Sequence, residues 1–498
     1  MEIKFQAHGP AQWSAEAIIV PAPEGHDPVK DHKWLDEVCP WLAIAPALRD
    51  FSGKEDEIAV LYGHPDLSIP RVILAGLGKN EEVDLGRIRA AIARAMRKAR
   101  SLGLKSVLLP EPALAEMAGG RQRLLEECVY AALLGLYRFV KFRKDVGEPD
   151  PEWLALGFAG EIPDGMMEAA GRGERAAEAV CACRDLCNMP PNLLGPEEMA
   201  AKAREMAASS GLKCRVLDEN ALAEAGLGCL LAVGKGSSRP PRLIALEYAP
   251  EHHGNEKPLV LIGKGITFDS GGICLKPAAN MFQMKGDMSG AAAVLCALWG
   301  AAREGIARRV VGLLACAENM PDGGAMRLGD IVYAGDGQSV EIVNTDAEGR
   351  LCLCDALVFA QKEWSPCAMI DIATLTGACA VALGAEVAGL FCADESVANK
   401  IAACGKVGGE NFWRLPLYLP YLKELQGGVA DLRNSGPREG GAITAALFLN
   451  SFVHGGELWA HLDIAGVDWT GKDKPLCTEG ASGFGCRTLL ELCRGGLA

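Results

Sequence analysis

Short apolar runs recur along the chain, and their spacing predicts strands alternating with helices. Near the N-terminus, Arg71–Leu77 (RVILAGL) reads as a buried strand. Asp84–Leu102 then sets Leu85, Ile88, Ile92, Met96 and Ala99 at helical spacing, and Ser106–Leu109 is a second strand, which makes a βαβ unit. Farther on, Leu259–Ile262, Arg309–Ala315, Val340–Val343, Ala368–Ile372 and Leu458–Ile464 suit buried strands. Gly290–Arg303, Gly349–Lys362 and Glu395–Cys404 read as helices between them. Alternation of this kind implies a mainly parallel sheet with helices on both faces. The expected fold class is α/β, a small N-terminal α/β domain joined by a helix to a larger C-terminal domain.

The joining helix is Met166–Cys187, stopped by the turn Asn188-Met189-Pro190-Pro191-Asn192, because proline cannot donate into a helix. The expected division is therefore 1–165 for the first domain, with an oligomer-forming or regulatory role. Residues 166–189 make the connecting helix and turn, and 190–498 the domain that carries the chemistry.

Composition narrows the function. A chain of 498 residues has ample core for two domains. A formal net charge of −14 argues against nucleic acid as a partner, DNA included. The predicted helix at 84–102 carries Arg87, Arg89, Arg94, Arg97, Lys98 and Arg100, which read as a solvated outer face. The 19 cysteines are odd in number and scattered through apolar runs, unlike a disulfide framework, so reduced and mostly buried thiols are expected. The first residues lack a basic segment followed by an apolar one, and no apolar run is long enough to cross a bilayer. A cytoplasmic protein without a membrane partner is the expectation.

Two segments concentrate the chemistry. The first, GKGITFDSGGICLKP continuing to MKGDMSG, holds Lys264, Asp269, Lys276 and Asp287. The second, NTDAEGRL, holds Asp346, Glu348 and Arg350. Four carboxylates carry about the charge that two divalent cations need. Lys264 is expected just after one strand, Asp346 and Glu348 just after another, and Ala373–Gly377 after a third. Ligands of open α/β sheets bind outside the carboxyl ends of strands, so these loops converge on one cleft. Hard oxygen donors suit Mg²⁺, Mn²⁺ or Zn²⁺. None of the eight histidines lies in an HExxH pattern, which excludes a zincin-type protease. A dication can drive a nearby lysine to its neutral, ligating form, so one of Lys264 and Lys276 can bind metal while the other stabilises an oxyanion. Arg350, at a helix N-terminus, suits a small anion. Each element alone has a blander reading: DxE pairs are usually solvated, threonines cap helices, and methionines fill cores. Only the joint arrangement rises above these.

At these residues the chain closely resembles the leucyl (cytosol) aminopeptidase family. The resemblance extends to DIATLTGA (Asp371–Ala378), HLDIAG (His461–Gly466), GFGCRTL (Gly483–Leu489), NMPPN and VGKGSSRPPRLI (Val233–Ile244). It is strong from about residue 180 onward and weak before that. It implies that Lys264, Asp269, Asp287 and Glu348 ligate a tighter metal ion, and Asp269, Asp346 and Glu348 an exchangeable one. Mn²⁺ or Zn²⁺ are the implied ions, with Mg²⁺ admitted. Lys276 would polarise the scissile carbonyl and stabilise the gem-diolate, and Arg350 would hold a bicarbonate that acts as general base. In the family a metal-bridging water or hydroxide attacks the carbonyl, while the free α-amine of the peptide binds a metal, which explains exopeptidase action. Met284, Thr374 and Gly377 match the pocket for the first side chain and fit a leucine-type preference. Homohexameric assembly is also implied. The rivals are a two-metal phosphohydrolase, which the ligand lysine and the missing phosphate loop oppose, and a DNA-binding role known in some bacterial members, which the net charge opposes.

Overall fold

In the computed structural model, residues 1–32, 34–111, 119–251, 254 and 256–495 are described. The chain forms two compact units, Met1–Glu178 with Lys472–Glu479, and Ala179–Gly471 with Gly480–Ala498. The division falls inside one continuous helix, Met166–Asn188.

The first unit is built on strands β1 (Glu2–His8), β2 (Ala17–Ala22), β3 (Ile58–Tyr62), β4 (Arg71–Gly76), β5 (Ser106–Pro110) and β6 (Trp153–Ala159). They lie in the order β1-β6-β5-β2-β4-β3, and every pair is parallel except β3 with β4. Ala17 and Ile19 face one apolar core while Ile18 and Val20 face another, so β2 is buried on both sides. That is why such strands read as unbroken apolar runs rather than alternating ones.

The Leu85–Ser101 helix is capped by Asp84, which accepts from the Arg87 backbone N–H at 2.9 Å. Its arginines are not a solvated face. Arg89 is buried and pairs with Glu127 at 2.6 Å, Arg87 with Glu82 and Glu55, Arg94 with Asp56, and Arg100 with Asp150, while Arg97 donates to the Gly135 carbonyl. The sequence pattern shows where the charges lie along the helix but not the acids that reach them from elsewhere in the unit.

The second unit holds β7 (Lys213–Leu217), β8 (Arg242–Tyr248), β9 (Leu259–Asp269), β10 (Val310–Asn319), β11 (Ile331–Tyr333), β12 (Ser339–Glu341), β13 (Ala368–Ala373), β14 (Val387–Cys392), β15 (Asn411–Arg414), β16 (Leu432–Arg433) and β17 (Leu458–Asp463). Eight of these form one sheet, β15-β14-β17-β13-β9-β10-β8-β7. Its centre, β17-β13-β9-β10, is wholly parallel, and antiparallel pairs flank it. β11, β12 and β16 form a separate small sheet.

Two further expectations need correction. β9 does not end near Gly263; it runs to Asp269, so Lys264 sits within the strand. Pairing with β13 stops at Gly263, whereas pairing with β10 continues, with a register shift between Ala317 and Asn319, to Asp269. Lys264 therefore points out beyond the end of one neighbour while the other still holds its strand. Second, the run at 340–343 is not part of the parallel sheet. It belongs to the small sheet as β12, and Asn434 Oδ1 accepts the Val343 and Asn344 N–H groups that a longer strand would have paired.

Candidate metal centre

Three stretches of the second unit bring the chemistry together. β9 supplies Lys264 and Asp269 from its buried C-terminal half. A tight turn follows, in which Gly271 and Gly272 take φ of 87° and 65°. A Cβ on Gly271 would lie 2.4 Å from the Cys274 carbonyl and 2.9 Å from Asp346 Oδ1, so only glycine lets the turn pass. Lys276 lies just beyond, and the short helix Met281–Gly286 then presents Met284 before Asp287. The Ser289–Glu304 helix approaches β9 so closely that a Cβ on Gly263 would meet Ala291 at 2.4 Å. The third stretch is the loop before the Gly349–Trp364 helix, with Asp346, Glu348 at the helix cap position and Arg350 in its first turn.

All ten residues singled out in the sequence line one cavity of about 530 Å³: Lys264, Asp269, Lys276, Met284, Asp287, Asp346, Glu348, Arg350, Thr374 and Gly377. Lys264 Nζ lies 2.8 Å from both Asp287 oxygens, 3.0 Å from Glu348 Oε1 and 2.8 Å from the Thr374 carbonyl. Lys276 Nζ lies 2.8 Å from Asp269 Oδ2 and 2.5 Å from Asp346 Oδ1. Thr374 Oγ1 donates to Asp287 Oδ1 at 2.7 Å. Thr376 caps the Gly377–Leu383 helix and donates to Asp463 Oδ2. The capping role therefore belongs to Thr376, while Thr374 steadies an acid of the site. A Cβ on Gly377 would meet nothing within 4 Å, so that position opens onto free space.

The electrostatics show what the site still needs. Burial alone would lower the pKa of Lys264, but Asp287, Glu348 and Asp269 outweigh it and hold the ammonium charged. Lys276 behaves the same way beside Asp269 and Asp346. Burial pushes Asp287 well up, and also raises Asp346 and Glu348. Arg350 is lowered to about 10 by burial, partly offset by Glu348 and Asp463, and remains a cation at neutral pH.

Among the described residues, Asp287 Oδ2, Asp346 Oδ1 and Glu348 Oε2 are buried without an aligned hydrogen-bond donor. Asp287 Oδ2 and Asp346 Oδ1 have the ammonium groups of Lys264 and Lys276 beside them, at 2.8 Å and 2.5 Å, and Glu348 Oε2 is left without a partner. Donor oxygens of Asp269, Asp346 and Glu348 also lie within 4.8 Å of one another. Several acids held above their usual range, an orphaned buried oxygen and a tight oxygen cluster are what a divalent-cation site requires. The donor set fits such ions.

Several supporting residues are invisible to motif reading. Asn319 Nδ2 donates to Asp269 Oδ1 at 2.8 Å and to the Thr345 carbonyl at 3.0 Å, tying the first segment to the second. Thr345 Oγ1 bonds the Gly271 carbonyl and accepts from the Cys274 N–H. Asn434 holds the 343–347 loop and accepts Arg350 Nη1 on its backbone carbonyl at 2.9 Å. Asp468, Ser435 and Arg438 complete the cavity wall. Most of the 19 cysteines are buried, as expected. No described helix is long and apolar enough to cross a membrane.

Comparison with known proteins agrees with this picture. The model of the cytosol aminopeptidase family, catalytic domain, matches residues 181–490, and that of its N-terminal domain matches 19–145. A probable cytosol aminopeptidase from Desulfovibrio desulfuricans is 59% identical over 100% of both chains. One from Nitratidesulfovibrio vulgaris is 48% identical over 100% of this chain and 99% of its own. Among solved structures, the bottromycin maturation enzyme BotP in complex with Mn is 36% identical, with a TM-score of 0.85 over 97% of this chain and 99% of its own. A mutant of tomato leucine aminopeptidase is 31% identical, with a TM-score of 0.87 over 99% of this chain and 96% of its own.

Proposed function

The chain belongs to the cytosol aminopeptidase family, and from that membership we propose that it is a two-metal leucyl aminopeptidase, releasing N-terminal L-amino acids from peptides with a free N-terminus. The observation that carries the proposal is the convergence of four carboxylates and two lysines on one cavity, with Glu348 Oε2 buried there without a partner among the described residues.

Lys264, Asp269, Asp287 and Glu348 would hold one ion, and Asp269, Asp346 and Glu348 the other. Bound there, Mn²⁺ or Zn²⁺, with Mg²⁺ admitted, would supply Lewis-acid polarisation of the carbonyl and a more acidic water. The remaining roles fall to the chain itself. The Lys264 side chain is only 4% exposed and embedded among the acids, whereas that of Lys276 is 23% exposed. Lys276 is therefore the ammonium available to an oxyanion developing on the substrate carbonyl. Arg350 is a buried cation with Nε unpaired, suited to hold a bicarbonate that takes up the proton as general base. The acidic floor attracts the free α-amine of the peptide, and an internal peptide bond has none to offer. Met284, Thr374 and Gly377, with Leu375, Ala378 and Ala465 beside them, give a wall of small and apolar groups suited to a leucine-type side chain. The protein would act in the cytoplasm as a homohexamer.

The test is hydrolysis of leucine p-nitroanilide by metal-stripped protein resupplied with Mn²⁺ or Zn²⁺, beside an N-acetylated substrate. Metal-dependent release that acetylation abolishes is expected. Release from the acetylated substrate would exclude recognition of the amine, and no release with either ion would exclude the catalytic role.

A further inference from the structure

A second buried group of metal-ligating side chains lies away from that centre. It consists of Cys229, in the Gly228–Gly234 helix, with Cys354 and Asp355, in the Gly349–Trp364 helix. Their donor atoms all lie within 4.8 Å of one another, and all three residues are fully buried. In a tetrahedral zinc site with Zn–S bonds of about 2.3 Å, neighbouring sulfurs sit roughly 3.8 Å apart. Donor atoms within 4.8 Å of one another need to close by at most about 1 Å to reach that spacing.

Asp355 makes the case sharper. Its Oδ2 accepts the Leu230 N–H at 2.8 Å and its Oδ1 the Gly335 N–H at 2.9 Å, an arrangement that suits an ionised carboxylate. No lysine, arginine or histidine pairs with it among the described residues. Burial raises Asp355 to about 7 against the pull of those backbone amides, so its charged form is costly there without a counter-charge. Two thiols beside it are the groups that, on losing their protons, bind a borderline-soft dication best.

We propose that Cys229, Cys354 and Asp355 form a structural Zn²⁺ site, distinct from the cavity centre. On binding, each thiol forms a bond from sulfur to zinc and releases its proton to solvent. Asp355 contributes one oxygen lone pair while keeping its backbone bonds, and a water completes the coordination. The hydrogen bond with Cys354 lowers the Cys229 thiol but burial outweighs it, and burial raises Cys354 as well, so both are protonated without metal and uptake releases protons and weakens as pH falls. The ion would pin the Gly228–Gly234 helix to the Gly349–Trp364 helix, one turn beyond Arg350. It would therefore brace the helix that carries Glu348 and Arg350 at its start. The donor sets also differ: oxygen and amine in the cavity, thiolate and carboxylate here.

The two sites can be told apart spectroscopically. Full-length protein is produced in cells supplied with Zn²⁺ or Co²⁺, dialysed against a mild chelator, and analysed for metal content and near-ultraviolet absorption. The parent chain should hold one more equivalent of zinc than C229A/C354A, and its cobalt form should show a thiolate-to-cobalt charge-transfer band. Asp346→Asn, which alters the cavity centre, should retain the band, and C229A/C354A should lose it. Cys354→Ser guards against misfolding: it should keep the parent's circular dichroism while losing the band. Equal zinc content in the parent and C229A/C354A, or a band that survives in C229A/C354A, would overturn the proposal.

Discussion

Lys264 and Lys276 carry the same functional group, and their surroundings give them different work. Lys264 is enclosed by Asp287, Glu348 and the Thr374 carbonyl, whereas Lys276 reaches the cavity. Lys276→Met should therefore lower kcat by about 10²–10³-fold, the cost of losing one oxyanion donor, while metal content stays unchanged. A rise in KM alone would instead mark Lys276 as a binding group. A glycine makes a second prediction. A Cβ on Gly349 would lie 2.5 Å from Lys264 Cε and 2.8 Å from its Nζ, so Gly349→Ala must push the lysine out of place. Its metal affinity should fall at least as far as that of Lys264→Met, with the far-ultraviolet circular dichroism preserved; an unchanged affinity would mean that the lysine has room to yield. These acids and lysines were legible because metal and oxyanion chemistry demands those residue types within short segments. Asn319 and Asn434 were not. A carboxamide that ties loops together across 50 or more positions of chain has no signature in type or spacing.

At the scale of elements, apolar runs located the strands but not their ends. β9 continues through GKGITFD because β10 still pairs with it, a fact about the neighbour rather than about the run itself. The run at 340–343 is apolar like the others, yet it pairs in a side sheet, since periodicity says that a segment is buried and not what buries it. Capping shows a similar long-range dependence. The Cys486–Gly495 helix receives its cap from Glu410, which accepts the Gly485 N–H at 2.8 Å, the Thr488 N–H at 3.0 Å and the Thr488 hydroxyl. Glu410→Gln places an amide donor against one of those donors and should cost about 1–3 kcal/mol. Burial raises the pKa of Glu410, partly offset by those bonds. A raised acid binds its proton more tightly in the folded chain. Its contribution is thus complete below the unfolded value of about 4.3 and is lost as pH rises through the folded one. The deficit of Glu410→Gln relative to the parent should therefore shrink as pH rises from about 4, which denaturant titrations across that range would check. A deficit that grows with pH would mean that the carboxylate is preferred ionised.

For the whole molecule, charge links folding to function. The chain carries a formal net charge of −14, and its cavity gathers Asp269, Asp287, Asp346 and Glu348 against the cations Lys264, Lys276 and Arg350. Charge buried out of water without full compensation destabilises the folded state, and that state alone assembles these residues from two separate stretches of sequence. Divalent cations that bind there should therefore stabilise the fold by mass action, by about 2.7 kcal/mol at a free concentration 100 times Kd. Scanning calorimetry with excess Mn²⁺ and then with chelator should show a melting temperature several degrees higher with the metal. Mn²⁺ is the better probe here because it favours oxygen donors over the thiol group at Cys229 and Cys354. The difference should persist in C229A/C354A and shrink in Asp346→Asn and Glu348→Gln, which keep the shape of the acids but remove charge. A melting temperature indifferent to Mn²⁺ would mean that the two lysines already balance the acids, and the cavity would then not be a metal centre. A Mn²⁺ shift that survives in both acid variants would mean that the stabilising ion binds elsewhere on the acidic surface.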